Sequence, residues 1–219
     1  MPHREFTGCH QLPMLGSTPS ICALGWGPSA SGGSLVTLIK LRPPLTEREV
    51  TKLKAGDLVS VSGAMVTARD KSYARVLDLL RSHKRLPVDM RGGVVYHCGP
   101  LVKKTLRGKK IVSAGPTTSA RLDRMQAEFV RRTGVRALVG KGGLGEEVAV
   151  ELARLGCVYL AFTGGAAVLA AQAIEKVERV LWQDLGAAEA LWVLRVRDFG
   201  PLVVAVDTKG NNLYLRQKR

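Results

Sequence analysis

Three glycine-containing corners hold the residue types most capable of chemistry in this sequence. The first is GPTTSAR at residues 115–121, which follows a predicted strand and opens a predicted helix. Backbone N–H groups at the start of a helix attract anions, and Thr117, Thr118 and Arg121 would add two hydroxyls and a cation. Threonine and serine are also ordinary helix caps. The segment therefore predicts either a carboxylate or phosphate cradle or simple capping.

The second corner is GKGGLG at residues 140–145, between a buried strand and a helix. Glycines let a backbone approach a ligand closely, and Lys141 adds a positive charge. A dinucleotide-binding loop would need an acidic residue about 20 residues later, and residues 158–165 supply none. A Walker A loop would need Ser or Thr where Gly142 stands. A KH-type GxxG loop for RNA and a tight strand–helix turn both remain open.

Weaker candidates lie at three other places. Arg69 ends a predicted strand, where its guanidinium would bind a carboxylate or pair with Asp70 at the surface. The third corner, TGGA at 163–166, predicts close packing of a strand on a helix through small residues. His97 beside Cys98 resembles a metal-ligand pair, but neighbouring strand residues point to opposite faces. We therefore expect no metal at His97.

Composition bounds the class of protein. The 219 residues are 46% apolar, enough for one large domain. The net charge of +15 favours anionic partners, whether nucleic acid, an acidic subunit or small polyanions. No two of the four cysteines form a CxxC pair, which argues against a zinc ribbon, a redox dithiol or a self-contained iron–sulfur site. No apolar run is long enough to span a membrane and the start lacks a secretory pattern, so we expect a cytoplasmic protein.

Strand and helix patterns alternate over roughly 150 residues from Leu35 onward, which predicts an α/β class. Residues 1–34 cluster Pro, Gly and Ser without periodicity, and we interpret them as a flexible extension. A domain at 35–215 and a basic tail at 216–219 complete the prediction. The predicted strands are 35–41, 57–66, 94–97, 111–113, 135–139, 158–162, 179–182, 191–196 and 202–206. The predicted helices begin at Thr46, Asp70, Ser119, Glu146 and Ala166.

Taken in order, many segments resemble one family: the β subunits of class I fumarate hydratases and L(+)-tartrate dehydratases. The resemblance covers residues 35–215 and rests on several multi-residue motifs in the right order. They are KAGD (54–57), SG (62–63), TARD (67–70), HCGPL (97–101), GPTTSAR (115–121), GKGG (140–143), Trp182, DLG (184–186), EALW (189–192), FGPL (199–202), Asp207 and GNN (210–212).

The resemblance implies a single domain with a swivelling β/β/α fold and a mixed sheet. It also implies an iron–sulfur hydro-lyase that hydrates fumarate to malate reversibly. The 4Fe–4S cluster would be carried by a separate α subunit and not ligated by this chain. The active form would be a heterodimer or heterotetramer that closes over a small dicarboxylate, with no role for nucleic acid or a membrane.

The same resemblance assigns the site residues. Thr117 matches the catalytic base that accepts the carbon-bound proton, and Thr118 would add a hydrogen bond. Arg69, Arg121 and Lys141 match the ligands of the substrate carboxylates. A threonine hydroxyl is a poor base unless neighbours activate it.

One departure concerns Tyr73, since many members of the family have a histidine at that place. Either the histidine has an orienting role that Tyr73 can fill, or the activity is altered. Three alternatives therefore accompany fumarate hydration: tartrate dehydration, a non-catalytic relative, and a KH-like RNA-binding module built on residues 140–143.

Overall fold

A strongly curved sheet closes on itself in the computed structural model, which describes residues 37–105 and 108–215. The predicted extension 1–34 and the tail 216–219 lie outside the described residues. The described part forms nine strands: β1 (Leu38–Leu41), β2 (Leu58–Thr67), β3 (Val94–Tyr96), β4 (Leu101–Thr105), β5 (Gly108–Ser113), β6 (Ala137–Gly140), β7 (Val158–Ala161), β8 (Ile174–Leu181) and β9 (Leu191–Val206). Its helices are α1 (Glu47–Val50), α2 (Asp70–Arg81), α3 (Asp123–Thr133), α4 (Glu146–Arg154) and α5 (Ala167–Gln172).

The order of strands in the sheet is β1-β2-β3-β6-β7-β9-β8, and the first five run parallel. The long β9 runs antiparallel to both β7 and β2, and this double pairing closes the sheet. Strand β8 is added outside β9, and β4 and β5 form a separate hairpin. Because β2, β3, β6 and β7 are parallel neighbours, their carboxyl ends meet at one edge.

Both faces of the central strands are buried. Val94, Val139 and Leu160 belong to a cluster that includes residues of α1 and α5. The alternate residues Leu138 and Tyr159 belong to a second cluster, formed with α2, α3 and α4. Side chains alternate between the faces of a strand, which is why these short parallel strands are almost continuously apolar.

The predicted α/β class, with a mixed sheet in one domain, is confirmed. The capping box predicted at Thr46 forms, since Glu49 N–H donates to Thr46 Oγ1 (3.3 Å) and Thr46 N–H donates to Glu49 Oε2 (2.7 Å). The helix predicted from Ser119 begins as a short 3-10 turn, continues as α3 and ends at Gly134, whose φ is 70°. None of the helices in the described part is long and apolar enough to cross a membrane.

Three predictions of elements were wrong. The helix predicted from Ala166 ends at Gln172, and β8 begins at Ile174, because its charged residues face solvent at the sheet edge and hide the strand pattern. The lysine-rich β4 was not predicted. Strand β9 is one strand rather than two: the positive φ values of Asp198 (45°) and Gly200 (152°) mark an irregularity within it, where the sequence indicated a break.

Candidate active site

The carboxyl-end edge of the sheet gathers the predicted site residues. Arg69 follows β2, His97 follows β3 and Lys141 follows β6. The loop of residues 115–121 lies across this edge, since Cys98 pairs with Pro116 and Thr118 pairs with Lys141 as isolated bridges. The structure therefore brings together segments that are up to 72 residues apart in the sequence.

Backbone hydrogen bonds fix the two central residues, Thr117 and Lys141. The Thr117 N–H donates to the His97 carbonyl at 2.7 Å, and the Lys141 N–H donates to the Thr117 carbonyl at 3.2 Å. The Ser119 N–H then donates to the Lys141 carbonyl at 3.1 Å. Thr117 is half-buried and Thr118 is exposed. These hydrogen bonds hold the loop like a short additional strand between the ends of β3 and β6.

Arg121 lies on the exposed side of this loop. Its side chain is 53% exposed, and its Nη2 lies 3.3 Å from Oδ2 of Asp70, the first residue of α2. A single contact of this length at an exposed site contributes little to stability. The guanidinium therefore remains available to an incoming carboxylate.

Arg69 is more enclosed, with 21% of its side chain exposed. Its Nε lies 3.5 Å from Glu189 Oε1 and has no hydrogen-bond partner in the described part of the chain. A Cβ added to Gly99 would lie 2.8 Å from Arg69 Nη1, so the guanidinium packs closely over this glycine. The other Glu189 oxygen accepts from the Lys71 N–H at 2.9 Å, which anchors the carboxylate.

The charges at this edge favour an anionic ligand. Arg69, Arg121 and Lys141 supply three cations, and Asp70 and Glu189 contribute two carboxylates. Lys141 forms no ion pair within the described residues. Charge-assisted hydrogen bonds from guanidinium and ammonium groups are the strongest carboxylate contacts that a protein offers. The arrangement suits a dianion, and the half-buried Thr117 lies at the same edge.

His97 lies directly behind the loop and is fully buried. Its Nε2 lies 2.7 Å from the Tyr73 hydroxyl, and its Nδ1 lies 2.8 Å from Ser119 Oγ. Burial lowers the pKa of His97 to about 3, so the ring is neutral near pH 7. The Tyr73 ring stacks on Phe129 with centroids 4.0 Å apart.

Sequence reasoning missed this role of His97. The available signal was that a histidine at the end of an apolar strand needs a partner for each ring nitrogen. Tyr73, noted only as a departure from the family pattern, is one such partner, and Ser119 is the other. The hydroxyl of Tyr73 thus has an orienting contact with His97.

The glycines of the second and third corners differ in what they allow. A Cβ at Gly140 would lie 1.9 Å from Ser119 Oγ, so the absence of a side chain at residue 140 leaves room for the Ser119 side chain. A Cβ at Gly164 or Gly165 would meet nothing within 4 Å, so the close packing expected at the third corner is wrong for its glycines, whereas Ala166 is buried in the core. Gly165 is instead required by its φ of +83°.

The donor set of the described residues does not fit an iron–sulfur cluster. No group of three or more Cys, His, Asp or Glu side chains that could hold a metal occurs within residues 37–105 and 108–215. Burial raises the pKa of Cys98 to about 12 and also raises that of Cys157, whereas cluster ligands are thiolates. Cys9 and Cys22 lie outside the described residues.

Comparisons with known proteins identify the family of this chain. Residues 26–217 match the family model described as Fumarase C-terminus. The chain is 39% identical over 179 residues to the L(+)-tartrate dehydratase subunit beta of Escherichia coli K12, which covers 82% of this chain and 88% of the relative. A protein of Methanocaldococcus jannaschii, provisionally named L(+)-tartrate dehydratase subunit beta, is 43% identical over 171 residues, or 78% of this chain and 88% of the relative.

A third relative is a longer chain than this one. It is a protein of Geobacillus stearothermophilus provisionally named fumarate hydratase class I, 40% identical over 186 residues. The match covers 84% of this chain but 35% of that relative. The family match spans most of the sequence and includes every candidate site residue, and this chain therefore belongs to the Fumarase C-terminus family of hydro-lyases.

Proposed function

We propose that this chain is the β subunit of an iron–sulfur hydro-lyase that hydrates fumarate to malate reversibly. The observation that carries the proposal is the convergence of Thr117, Lys141, Arg69 and Arg121 at one edge of the sheet, on a chain of this family. The family implies an iron–sulfur cluster, and the name β subunit among its relatives implies an α partner. We also propose that the protein is located in the cytoplasm.

The cations would bind and orient the two substrate carboxylates. Arg69 is already enclosed and anchored beside Glu189, so it suits a fixed contact. Arg121 and Lys141 would complete the binding when the carboxylate replaces Asp70 beside Arg121 and meets the ammonium of Lys141, which has no ion pair among the described residues. Each such desolvated contact contributes about 1.5–3 kcal/mol.

Thr117 would accept the proton from the substrate carbon, with Thr118 adding a hydrogen bond. The backbone bonds of Thr117 to His97 and Lys141 hold its position, which reduces the entropic cost of aligning the hydroxyl. The neighbouring cation of Lys141 would favour the alkoxide form that a threonine base requires. Water exclusion would come from closure against the partner.

The partner would carry the 4Fe–4S cluster and cover this edge in a heterodimer or heterotetramer. Support comes from the exposed large apolar side chains of the described residues, most of which adjoin the site segments. They lie on the hairpin that leads into residue 115, on α5, and on the segment whose Tyr214 ring packs on Gly143. These residues are Leu101, Val112, Val168, Leu169, Leu213, Tyr214 and Leu215.

This docking surface is testable by charge insertion. Leu169→Asp should weaken the affinity for the α subunit at least about tenfold, because burying a carboxylate without a partner is costly. Val150→Asp is the matched control, since Val150 is also exposed on a helix but lies outside the set. Equal affinities of both variants, measured by titration calorimetry, would exclude α5 from the interface.

Tartrate dehydration is the second candidate, and the names of the relatives from Escherichia coli and Methanocaldococcus jannaschii favour it. Both substrates are four-carbon dicarboxylates, and the same cations would bind either one. The RNA-binding alternative has no support, because residues 140–143 form part of the site just described. The buried contact of the Tyr73 hydroxyl with His97 argues against a non-catalytic relative.

The test is co-expression with a cluster-bearing α subunit and anaerobic reconstitution. Absorbance of fumarate would be followed with malate as substrate, and oxaloacetate formation with tartrate. Turnover with malate supports the first candidate, and turnover with tartrate alone supports the second. A stable, cluster-loaded complex without turnover on either substrate would contradict both.

A further inference from the structure

Four residues close a ring behind the candidate site. Three backbone bonds run from Thr117 to His97, from Lys141 to Thr117, and from Ser119 to Lys141. The side-chain contact between Ser119 Oγ and His97 Nδ1, at 2.8 Å, closes the ring. The side-chain contact therefore joins the two residues whose backbones bond to Thr117 and Lys141.

The ring is part of a longer buried chain of polar groups. The Tyr73 hydroxyl lies 2.7 Å from His97 Nε2 at one end. At the other end the Tyr159 hydroxyl lies 3.0 Å from Ser119 Oγ and 2.9 Å from the Gly142 carbonyl oxygen. Tyr73, His97, Ser119 and Tyr159 are all fully buried.

The number of available protons fixes the direction of donation along this series of hydrogen bonds. A carbonyl oxygen can only accept, so the single proton of the Tyr159 hydroxyl goes to Gly142. The contact between Ser119 and Tyr159 then requires the serine to donate. Because the serine proton is used there, its oxygen accepts from His97 Nδ1–H, and His97 Nε2 accepts from the Tyr73 hydroxyl.

We propose that the Gly142 carbonyl, acting through Tyr159 and Ser119, fixes His97 as the neutral Nδ1–H tautomer, and that His97 and Ser119 are positioning residues for Thr117 and Lys141. The positioning part rests on the proposed function of the site. The tautomer part depends only on the structure. A doubly protonated His97 would donate from Nε2. Its Nε2 could then no longer accept from the Tyr73 hydroxyl, which is the first hydrogen bond of the series.

The packing around the ring supports a fixed arrangement. A Cβ on Gly140 would lie 1.9 Å from Ser119 Oγ and 3.0 Å from His97 Nδ1, so the backbone of β6 is in close contact with this hydrogen bond. The Gln126 amide also donates to the Ser119 carbonyl at 3.0 Å. Few alternative positions are left to the serine.

The tautomer is measured by two-bond proton–nitrogen NMR of the histidine side chains in the full chain at pH 7. Wild-type protein should show His97 protonated at Nδ1. Tyr159→Phe removes the acceptor of the serine proton, so the serine can turn to Nδ1 and a detectable Nε2–H population should appear. An Nε2–H or doubly protonated ring in the wild type, or an unchanged tautomer in Tyr159→Phe, would overturn the proposal.

Positioning is tested without activity by hydrogen exchange. Ser119→Ala should speed exchange of the Thr117 and Lys141 amides by at least about tenfold, because the ring is opened. Thr133→Val is the control: it also deletes a buried hydroxyl, one that donates to the Phe129 carbonyl at 2.7 Å, but lies at the far end of α3. Equal protection in Ser119→Ala and the control would refute the positioning role.

Kinetics of the reconstituted heteromer provide a second readout. Ser119→Ala should lower kcat about ten- to a hundredfold, since small displacements of a reacting group have effects of this size, while Thr133→Val should keep kcat. A change in KM alone would contradict positioning of Thr117. An inactive wild-type heteromer would contradict the proposed function, while the NMR and exchange results would still decide the inference.

Discussion

The two edges of the closed sheet hold their arginines in different ways. At the amino-end edge, Arg136 donates to the carbonyls of Leu155 (2.8 Å) and Gly156 (3.1 Å) and pairs with Glu47 at 3.0 Å. At the carboxyl-end edge, Arg121 has one contact of 3.3 Å with Asp70, and Arg69 lies 3.5 Å from Glu189.

The difference shows which charges are free to act. Arg136 at the amino-end edge is satisfied by the protein itself and joins the loop after α4 to α1. Arg69 and Arg121 at the carboxyl-end edge have longer, single contacts and keep further donors open to a ligand. A net charge of +15 conceals this distinction, since it counts both groups alike.

Among the substitutions that test this comparison, removal of the Lys141 ammonium should have the largest effect. Lys141→Ala should lower kcat/KM of the reconstituted heteromer about 10- to 150-fold, the equivalent of one charge-assisted hydrogen bond of about 1.5–3 kcal/mol. Steady-state kinetics with malate would measure it. Activity within twofold of the wild type would remove Lys141 from the site.

A second test compares two glycines of the site edge. Gly140→Ala should lower the free energy of unfolding by about 1–3 kcal/mol, because its Cβ would overlap Ser119 Oγ. Gly164→Ala should change it by less than about 0.5 kcal/mol, since nothing lies within 4 Å. Urea unfolding of both variants gives the answer, and equal stabilities would contradict the tight contact between β6 and the loop.

The buried histidine predicts a pH dependence of stability. The pKa of His97 is about 3 in the folded protein and 6.5 when unperturbed. Below that upper value the unfolded chain binds a proton that the folded chain does not, so stability falls as the pH decreases from 6.5 toward 3. The contribution of His97 is about 1.4 kcal/mol per pH unit.

Urea unfolding between pH 6.5 and 5 would measure this slope. His97→Gln is the control, because glutamine retains hydrogen-bonding groups but does not titrate. The wild type should lose stability more steeply than the variant as the pH falls. Parallel slopes would mean that His97 binds protons equally in the folded and unfolded chains, and would contradict the lowered pKa.

The smallest effect is expected at the amino-end edge. Arg132→Ala removes a side chain that pairs with Glu128 at 2.8 Å and lies at the end of α3 away from the site. Kinetic constants of the heteromer should stay within about twofold, because no substrate group reaches this arginine. A loss of activity as large as that of Lys141→Ala would mean that the two edges do not differ in function.

Much of this structure was predictable from the sequence. Apolar periodicity and capping located α2, α3 and the parallel strands, and the family motifs singled out Thr117, Arg69, Arg121 and Lys141, which the structure places at one edge of the sheet. The pairing of β9 with both β2 and β7 was not predictable, because sheet closure depends on contacts between distant strands. The roles of Asp70 and Glu189 beside the arginines, and of His97 behind the loop, likewise arise from tertiary contacts that no local pattern contains.

Turnover of malate by the heteromer, compared between the wild-type chain and Arg121→Ala, would show whether the substrate binds at the carboxyl-end edge of the sheet. Arg121 is exposed and makes one ion pair, so its removal should leave folding and assembly intact. We expect turnover in the wild type and a loss of at least about tenfold in the variant, with unchanged complex formation. Unchanged turnover in a fully assembled Arg121→Ala heteromer would contradict the placement of the substrate site at this edge.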